Sequence, residues 1–362
     1  MRSWRWKLLC PTFAALGVAA AQYACSETGP DADPRTNGCL TEGCLEAGTS
    51  GEGGTPPTDG GPGDGAPIVY PDPLEGTSKT SARVVGNRAF VEGPVWIGGR
   101  LLFSDIPANV ILELSGSTTT NYRTNSGGTN GLAVDSEGRL LACEGGRRRI
   151  VRGPATAGAA ANLLYDKFNG KSFNSPNDVV VRKDNNIYFT DPNYGGAAPD
   201  PDNQLPYQGA YRIDKLGSLT RLDGTFNKAN GIALAPDGNT LYVVDNGAGK
   251  LLAAPVDADG KPGAFAPIAD VPGGDGMAVD DAGNLYVADD DGVDVFDKTG
   301  AKKIGTVTVA GKASNCTFGG PDRKTLFITA NSAAIPGVDG GPATNNPATG
   351  LYSIELKVPG LP

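Results

Sequence analysis

The stretch NGIALAPDGNTLYVVDN, residues 230–246, decides the fold. An amide opens it, a short apolar run follows, Pro236-Asp237-Gly238 turns the chain, and a second apolar run brings it back to Asp245 and Asn246. Apolar runs this short, joined by a turn carrying glycine, read as two β-strands in a hairpin. The phrase recurs as EGPVWIGGRLLFSDI from Glu92, NGLAVDSEGRLLACE from Asn130, NDVVVRKDNNIYFTD from Asn177, DGMAVDDAGNLYVADD from Asp275 and NCTFGGPDRKTLFITA from Asn315. Six in-phase copies at a spacing of about 40–50 residues have the period of propeller blades. The expected fold is therefore all-β, a six-bladed β-propeller with four-stranded blades over residues 81–362. Leu351 to Leu356 is expected to pair with strands from the first blade's region, closing the ring and removing an exposed sheet edge.

The first position of each copy carries the functional reading. It is Glu92, Asn130, Asn177, Asn230, Asp275 and Asn315 in order, so every copy offers a side-chain oxygen. The innermost strand of each blade lines the central channel, and equivalent positions converge around the axis. A ring of oxygens with two carboxylates, and neither thiolate nor imidazole, suits a hard divalent cation. Several flexible oxygen ligands fit calcium better than magnesium or zinc. The competing reading is that Asn and Asp only open turns and cap strands. Recurrence in phase favours the ring.

Composition removes other functions. The net charge is −9 with no long basic stretch, which excludes nucleic acid as a partner. Arg147-Arg148-Arg149 is the one basic cluster and is expected on a solvated strand edge. The chain has no histidine, so Ser-His-Asp and Cys-His triads, His-ligated zinc and His general bases are all absent. Gly170-Lys171-Ser172 has Tyr165 where a phosphate loop needs its first glycine. Oxygen-ligand metal chemistry survives, with a small molecule as partner and a monomer as the expected state.

At the N-terminus Arg2, Arg5 and Lys7 precede the apolar segment Leu8 to Ala21. Residues 1–24 read as a secretory signal, too short to span a bilayer comfortably. Cys25 follows Ala24 in the manner of a bacterial lipoprotein site, and cleavage after Ala21 with plain secretion is the alternative. The expected location is outside the cytoplasm, as a periplasmic or cell-surface lipoprotein or else a secreted protein, with membrane contact only through the lipid. Residues 25–80, rich in Gly, Pro, Asp, Thr and Ser, form the expected flexible linker. Removal of residues 1–80 is expected to leave stability nearly unchanged. Cys39 and Cys44 are placed to close a small disulfide loop, whereas Cys143 and Cys316 sit in apolar strands as free thiols.

Several motifs, in order along the chain, resemble the gluconolactonase, regucalcin and senescence-marker-protein family of six-bladed propellers. They are Glu92-Gly93-Pro94-Val95-Trp96, Asn174-Ser175-Pro176-Asn177-Asp178, Tyr188-Phe189-Thr190-Asp191-Pro192, and Leu205-Pro206-Tyr207-Gln208-Gly209-Ala210-Tyr211-Arg212. Asn230-Gly231-Ile232, Asp275-Gly276-Met277 and Phe318-Gly319-Gly320-Pro321-Asp322 complete the set. The resemblance covers roughly Ala82 to Leu356. It implies a divalent cation, calcium first and another divalent ion second, held by Glu92, Asn177, Asn230 and Asp275, with Asn177 and Asn130 facing substrate. It also implies hydrolysis of lactones by carbonyl polarisation and a carboxylate that activates water, Asp275 first and Glu92 second. Two departures stand out: Gly145 in Cys143-Glu144-Gly145-Gly146, where relatives commonly carry histidine, and Ser175, where animal relatives carry arginine. The alternatives are a catalytically inactive, metal-stabilised binding propeller tethered to a membrane, and a calcium-dependent esterase or phosphotriesterase.

Overall fold

The computed structural model describes residues 68–194, 203–222, 224–331 and 349–361. Six four-stranded antiparallel sheets follow one another along the chain. Their innermost strands are Val91–Ile97, Thr129–Val134, Val179–Val181, Ala229–Leu234, Met277–Val279 and Lys312–Gly319. Four of them contain the first position of a repeated phrase and the other two begin just after it, so the expected six-bladed propeller stands. The signal segment, Cys25, Cys39 and Cys44 lie outside the described residues.

Burial between blades holds the ring together. In the first interface Ile97, Leu102, Ile111 and Tyr122 of one blade pack on Leu132, Leu140, Ala142 and Val151 of the next. Apolar residues run almost unbroken along strands such as Leu140–Glu144 and Leu285–Asp289 because a blade is covered on both faces by its neighbours. The turns at the lower end repeat one device. Asp135 Oδ1 accepts the N–H groups of Glu137 and Arg139 at 3.0 and 2.9 Å, and Asp280 Oδ1 those of Ala282 and Asn284 at 3.0 and 2.8 Å. A side chain that mimics a backbone turn in this way favours the Asp-x-x-Gly signature.

Ring closure differs in detail from the expectation. Gly350–Glu355 is the third strand of the sixth blade, and its outer partner is Ala82–Val85 with Ala82 opposite Ser353. The closing strand thus precedes the first blade and becomes the outermost strand of the sixth. Packing also begins before residue 81. Leu74 is only 3% exposed within the cluster of Tyr286, Val295 and Val307, and Thr80 bridges Thr308. Removing residues 1–80 would open that cluster, so the expectation of unchanged stability is corrected.

Gly170-Lys171-Ser172 lies in a two-stranded hairpin of Lys167–Phe168 and Lys171–Ser172. Asn169 and Gly170 take positive φ at its tip, which accounts for the tripeptide as turn chemistry.

Candidate functional site

The repeated acid-or-amide followed by glycine is a joint between blades. The N–H of Gly131 donates to Asn177 O at 2.7 Å, that of Gly231 to Asp275 O at 3.0 Å and that of Gly276 to Ser314 O at 2.8 Å. Hydroxyls add a second stitch, Ser104 Oγ to Asn130 O at 2.8 Å and Thr190 Oγ1 to Asn230 O at 2.7 Å. A Cβ on Gly231 would lie 2.4 Å from Asp275 O, so only glycine permits this approach. With the glycine turned to the neighbouring blade, the residue before it is set at the upper end of the channel.

The structure gathers the expected carboxylates and adds a third. Glu92 is 3% exposed and its Oε2 accepts the N–H of Gly93 at 2.8 Å. Burial pushes its carboxyl well above the usual range, the charges of Asp275 and Asp178 push further, and the Gly93 amide and Asn315 pull it down. Asp275 is raised from 3.8 to about 7, chiefly by burial, against the lowering influence of Lys312 and Asn230. Lys312 in turn bridges Asp290 at 2.6 Å.

Asp178 is the residue that sequence reading passed over. It occupies the second position of the phrase, where four copies have glycine. Its Oδ1 accepts the N–H of Val179 at 3.0 Å and its Oδ2 that of Ile232 at 3.2 Å. Burial raises its carboxyl to about 7, with the amide of Asn315 among the lowering influences. A carboxylate breaking a run of glycines was the available signal. Asn315 therefore serves both Glu92 and Asp178.

The ring amides differ in how they are held. Asn230 donates through Nδ2 to the hydroxyl oxygen of Tyr194 at 3.2 Å, and burial raises that phenol above its ordinary range. Asn177 is 7% exposed and fixed by its backbone, which donates to Thr190 O at 2.9 Å. Asn130 Oδ1 is buried and has no hydrogen-bond partner. An acceptor without a donor is costly in a protein interior. Asn130 adjoins the Glu92 turn, its backbone oxygen standing 2.1 Å from where a Cβ on Gly93 would lie.

This donor chemistry fits a hard divalent cation, which would pull the carboxyls down into the ionised form. Among the described residues no group of three or more His, Cys, Asp or Glu side chains stands close enough to hold a metal by itself. A cation here would draw on the amide oxygens of Asn177 and Asn230 together with Glu92 and Asp275.

The loop that delivers Asn177 is clamped from behind. Asp191, fully buried, accepts the N–H of Asn174 at 2.9 Å and of Ser175 at 2.8 Å, and Gln204 Nε2 donates to Asn174 Oδ1 at 2.7 Å. Burial raises Asp191 to about 7. The two family departures meet at this loop. A Cβ on Gly145 would lie 2.9 Å from Ser175 Oγ and 3.1 Å from Pro176 O.

Arg147-Arg148-Arg149 is not the free edge expected of it. Arg147 and Arg149 both bind Glu144, at 3.3 and 2.7 Å, and Arg148 donates to Phe173 O of the third blade's approach at 3.2 Å. Cys143 and Cys316 are buried free thiols, as expected.

A cavity of about 950 Å³ opens along the inner strands. Its wall is made by the later, apolar residues of the inner strands, such as Val95, Leu132, Val179, Ile232 and Met277, and it reaches Asp178 and Asn315 but neither Glu92 nor Asp275. Asp178 and Asn315 thus join the open volume to the carboxylates Glu92 and Asp275.

Residues 90–332 match the model of the SMP-30/Gluconolactonase/LRE-like region. The chain is 31% identical over 279 residues to the gluconolactonase of Zymomonas mobilis, covering 67% of this chain and 77% of that protein. Among solved structures, the gluconolactonase of Xanthomonas campestris is similar at 33% identity with a TM-score of 0.63, covering 76% of this chain and 89% of the other. A calcium-binding regucalcin of Agrobacterium tumefaciens shares the fold at 22% identity and a TM-score of 0.60, covering 75% and 92%. With its joints, its ring of oxygens and its clamped Asn177 loop placed as above, the chain belongs to the SMP-30/gluconolactonase/LRE-like family.

Proposed function

We propose that the chain is a divalent-cation-dependent lactone hydrolase, with calcium as the cation and a sugar-type lactone as the substrate class. The observation that carries this reading is the buried ring in which the charges of Asp275 and Asp178 act on Glu92 while Asn130 offers an unpartnered acceptor. Membership of a family whose relatives include gluconolactonases supports the reaction. The oxygen-only donor set supports calcium.

Glu92, Asn177, Asn230 and Asp275 would hold the cation. When bound, it supplies a Lewis acid that polarises the lactone carbonyl and offsets the charge developing on that oxygen. Asp275 is the acceptor for the proton of the attacking water, with Glu92 second. Water oxygen bonds to the carbonyl carbon, the bond from that carbon to the ring oxygen breaks, and the proton passes from Asp275 to the released oxygen. The product is the open hydroxy acid. Asn177 and Asn130 contact the substrate, and Asp191 keeps Asn177 in place by fixing the loop before it.

A lactone panel assayed by proton release, with calcium and with chelator, tests this reading. Hydrolysis that is lost on chelation and restored by calcium is expected, and hydrolysis indifferent to chelation overturns the cation's role. Export rests on Leu8 to Ala21 and Cys25. Partition of the full chain into membranes, abolished by Cys25→Ser, is the expected mark of lipidation, and a fully soluble wild type would leave secretion.

A further inference from the structure

Tyr194 stands among the channel groups at a point that has no counterpart in the repeated phrase. It follows Asp191-Pro192-Asn193 at the upper end of the third blade. The approach is anchored, since the N–H of Asn193 donates to Gln208 Oε1 at 2.8 Å. The hydroxyl oxygen of Tyr194 accepts Nδ2 of Asn230 at 3.2 Å, and the ammonium of Lys228 stands 5.2 Å from the ring centroid. Asp275 and Glu92 are close enough to act on the phenol electrostatically.

An amide side chain has a donor end and an acceptor end, and a hard cation takes only the oxygen. Which end of Asn230 faces the axis therefore decides whether it is a ligand. Nδ2 carries two hydrogens. One goes to Tyr194, and the amide also hydrogen-bonds Asp275 and favours its ionised form. With the donor end committed, Oδ1 is the end left for a cation. The phenol can do this because its oxygen accepts, and Lys228 over the ring face adds a cation–π contact that holds the ring in position.

We propose that Tyr194 is a positioning residue for the channel cation, fixing the Asn230 amide with Oδ1 toward the axis. The proposal rests on the cation reading of the ring given above. It predicts a dependence that simple packing would not produce. The phenol matters only while position 230 has two unlike ends. In Asn230→Asp both ends are oxygen, and orientation ceases to matter.

The test is calorimetric titration of calcium into chelator-treated full chain, as wild type, Tyr194→Phe, Asn230→Asp and the double variant, with melting temperatures of the metal-free forms as a check on folding. Tyr194→Phe keeps the ring and the Lys228 contact. It is expected to weaken calcium binding by about three- to tenfold, the worth of one neutral hydrogen bond. On the Asn230→Asp background the same change is expected to cost less than about twofold, the non-additivity of a coupled pair. Equal affinity in wild type and Tyr194→Phe, or an equal loss on both backgrounds, overturns the proposal while leaving the cation reading intact. A folded wild type that binds no calcium overturns both.

Discussion

Each blade carries oxygen-bearing side chains at both ends of its first hairpin, and the two sets meet different fates. The first set is the channel ring from Glu92 to Asn315. The second closes the returning strand: Asp105, Glu144, Asp191, Asp245, Asp289 and Asn331. It is as regular as the first and more acidic, yet most of its oxygens are already engaged. Asp245 Oδ2 accepts the N–H of Asn227 at 2.8 Å, Asp289 Oδ1 those of Asp291 and Gly292 at 2.9 and 3.1 Å, and Asn331 Oδ1 that of Val91 at 2.9 Å. Glu144 is held by two arginines. These groups tie upper loops to strand ends. In the channel Glu92 and Asp275 face further carboxylates and Asn130 Oδ1 has no donor, and these groups converge from several blades. In the second set Asp105 Oδ1 also lacks a donor and Asp289 faces Asp294, but each stands within its own blade. Recurrence in phase marks the symmetry of a fold. Unspent oxygen that converges from several blades marks a site.

The contrast breaks most sharply at Asp275. Asp275→Ala removes a ligand and the proton acceptor, and kcat/KM for lactone is expected to fall at least ~100-fold, about 2.7 kcal/mol, with calcium binding lost by calorimetry. An active, calcium-binding variant would place the site elsewhere. The matching change in the other set, Asp245→Ala, strands the N–H of Asn227. It should cost about 1–3 kcal/mol of stability, read as a lower melting temperature, with calcium affinity unmoved. A loss of calcium binding there would erase the distinction between the sets.

Acidity sharpens it further. Asp178 and Asp275 titrate near 3.8 when unperturbed and about 7 in the folded protein. Between those values the folded state holds more protons than the unfolded chain, so metal-free stability falls as pH rises through this window. Asp191, raised to about 7 by burial alone among its loop donors, contributes the same slope with or without metal. Melting temperatures from pH 5 to 8 should therefore decline steeply in chelator and less steeply in calcium, because the cation replaces the channel protons only. Parallel curves would count against a cation at the ring. Smallest of all is Asn315→Ala, which takes an amide away from Glu92 and Asp178. Calcium binding is expected to weaken about three- to tenfold, far less than in Asp275→Ala, and an equal collapse would make Asn315 a ligand.

Much of this was legible because a hairpin of two apolar runs writes its period into the chain, and a period fixes which residues converge. Glu92 and Asp275 followed from that alone. Asp178 did not, since a single carboxylate in place of glycine breaks the pattern that made its neighbours readable. Tyr194 lies between hairpins, where no periodicity reaches, and Arg148 finds Phe173 O only through blade contact. The role of Ala82–Val85 was hidden for a similar reason. Its partner is more than two-thirds of the chain away, and four residues carry too little pattern to announce a strand.

That last pairing sets an order on folding. Five blades are built from sequence neighbours, and each can zip as soon as its own strands exist. The sixth needs Ala82 beside Ser353, a contact of high sequence separation whose loop-closure entropy is met last. A chain emerging from the ribosome therefore carries Thr325–Asn331 and the strand Ala82–Val85 as waiting edges until residues 350–355 arrive. Closure is the step that commits the molecule, and a chain stopped short of it presents an open edge to its neighbours.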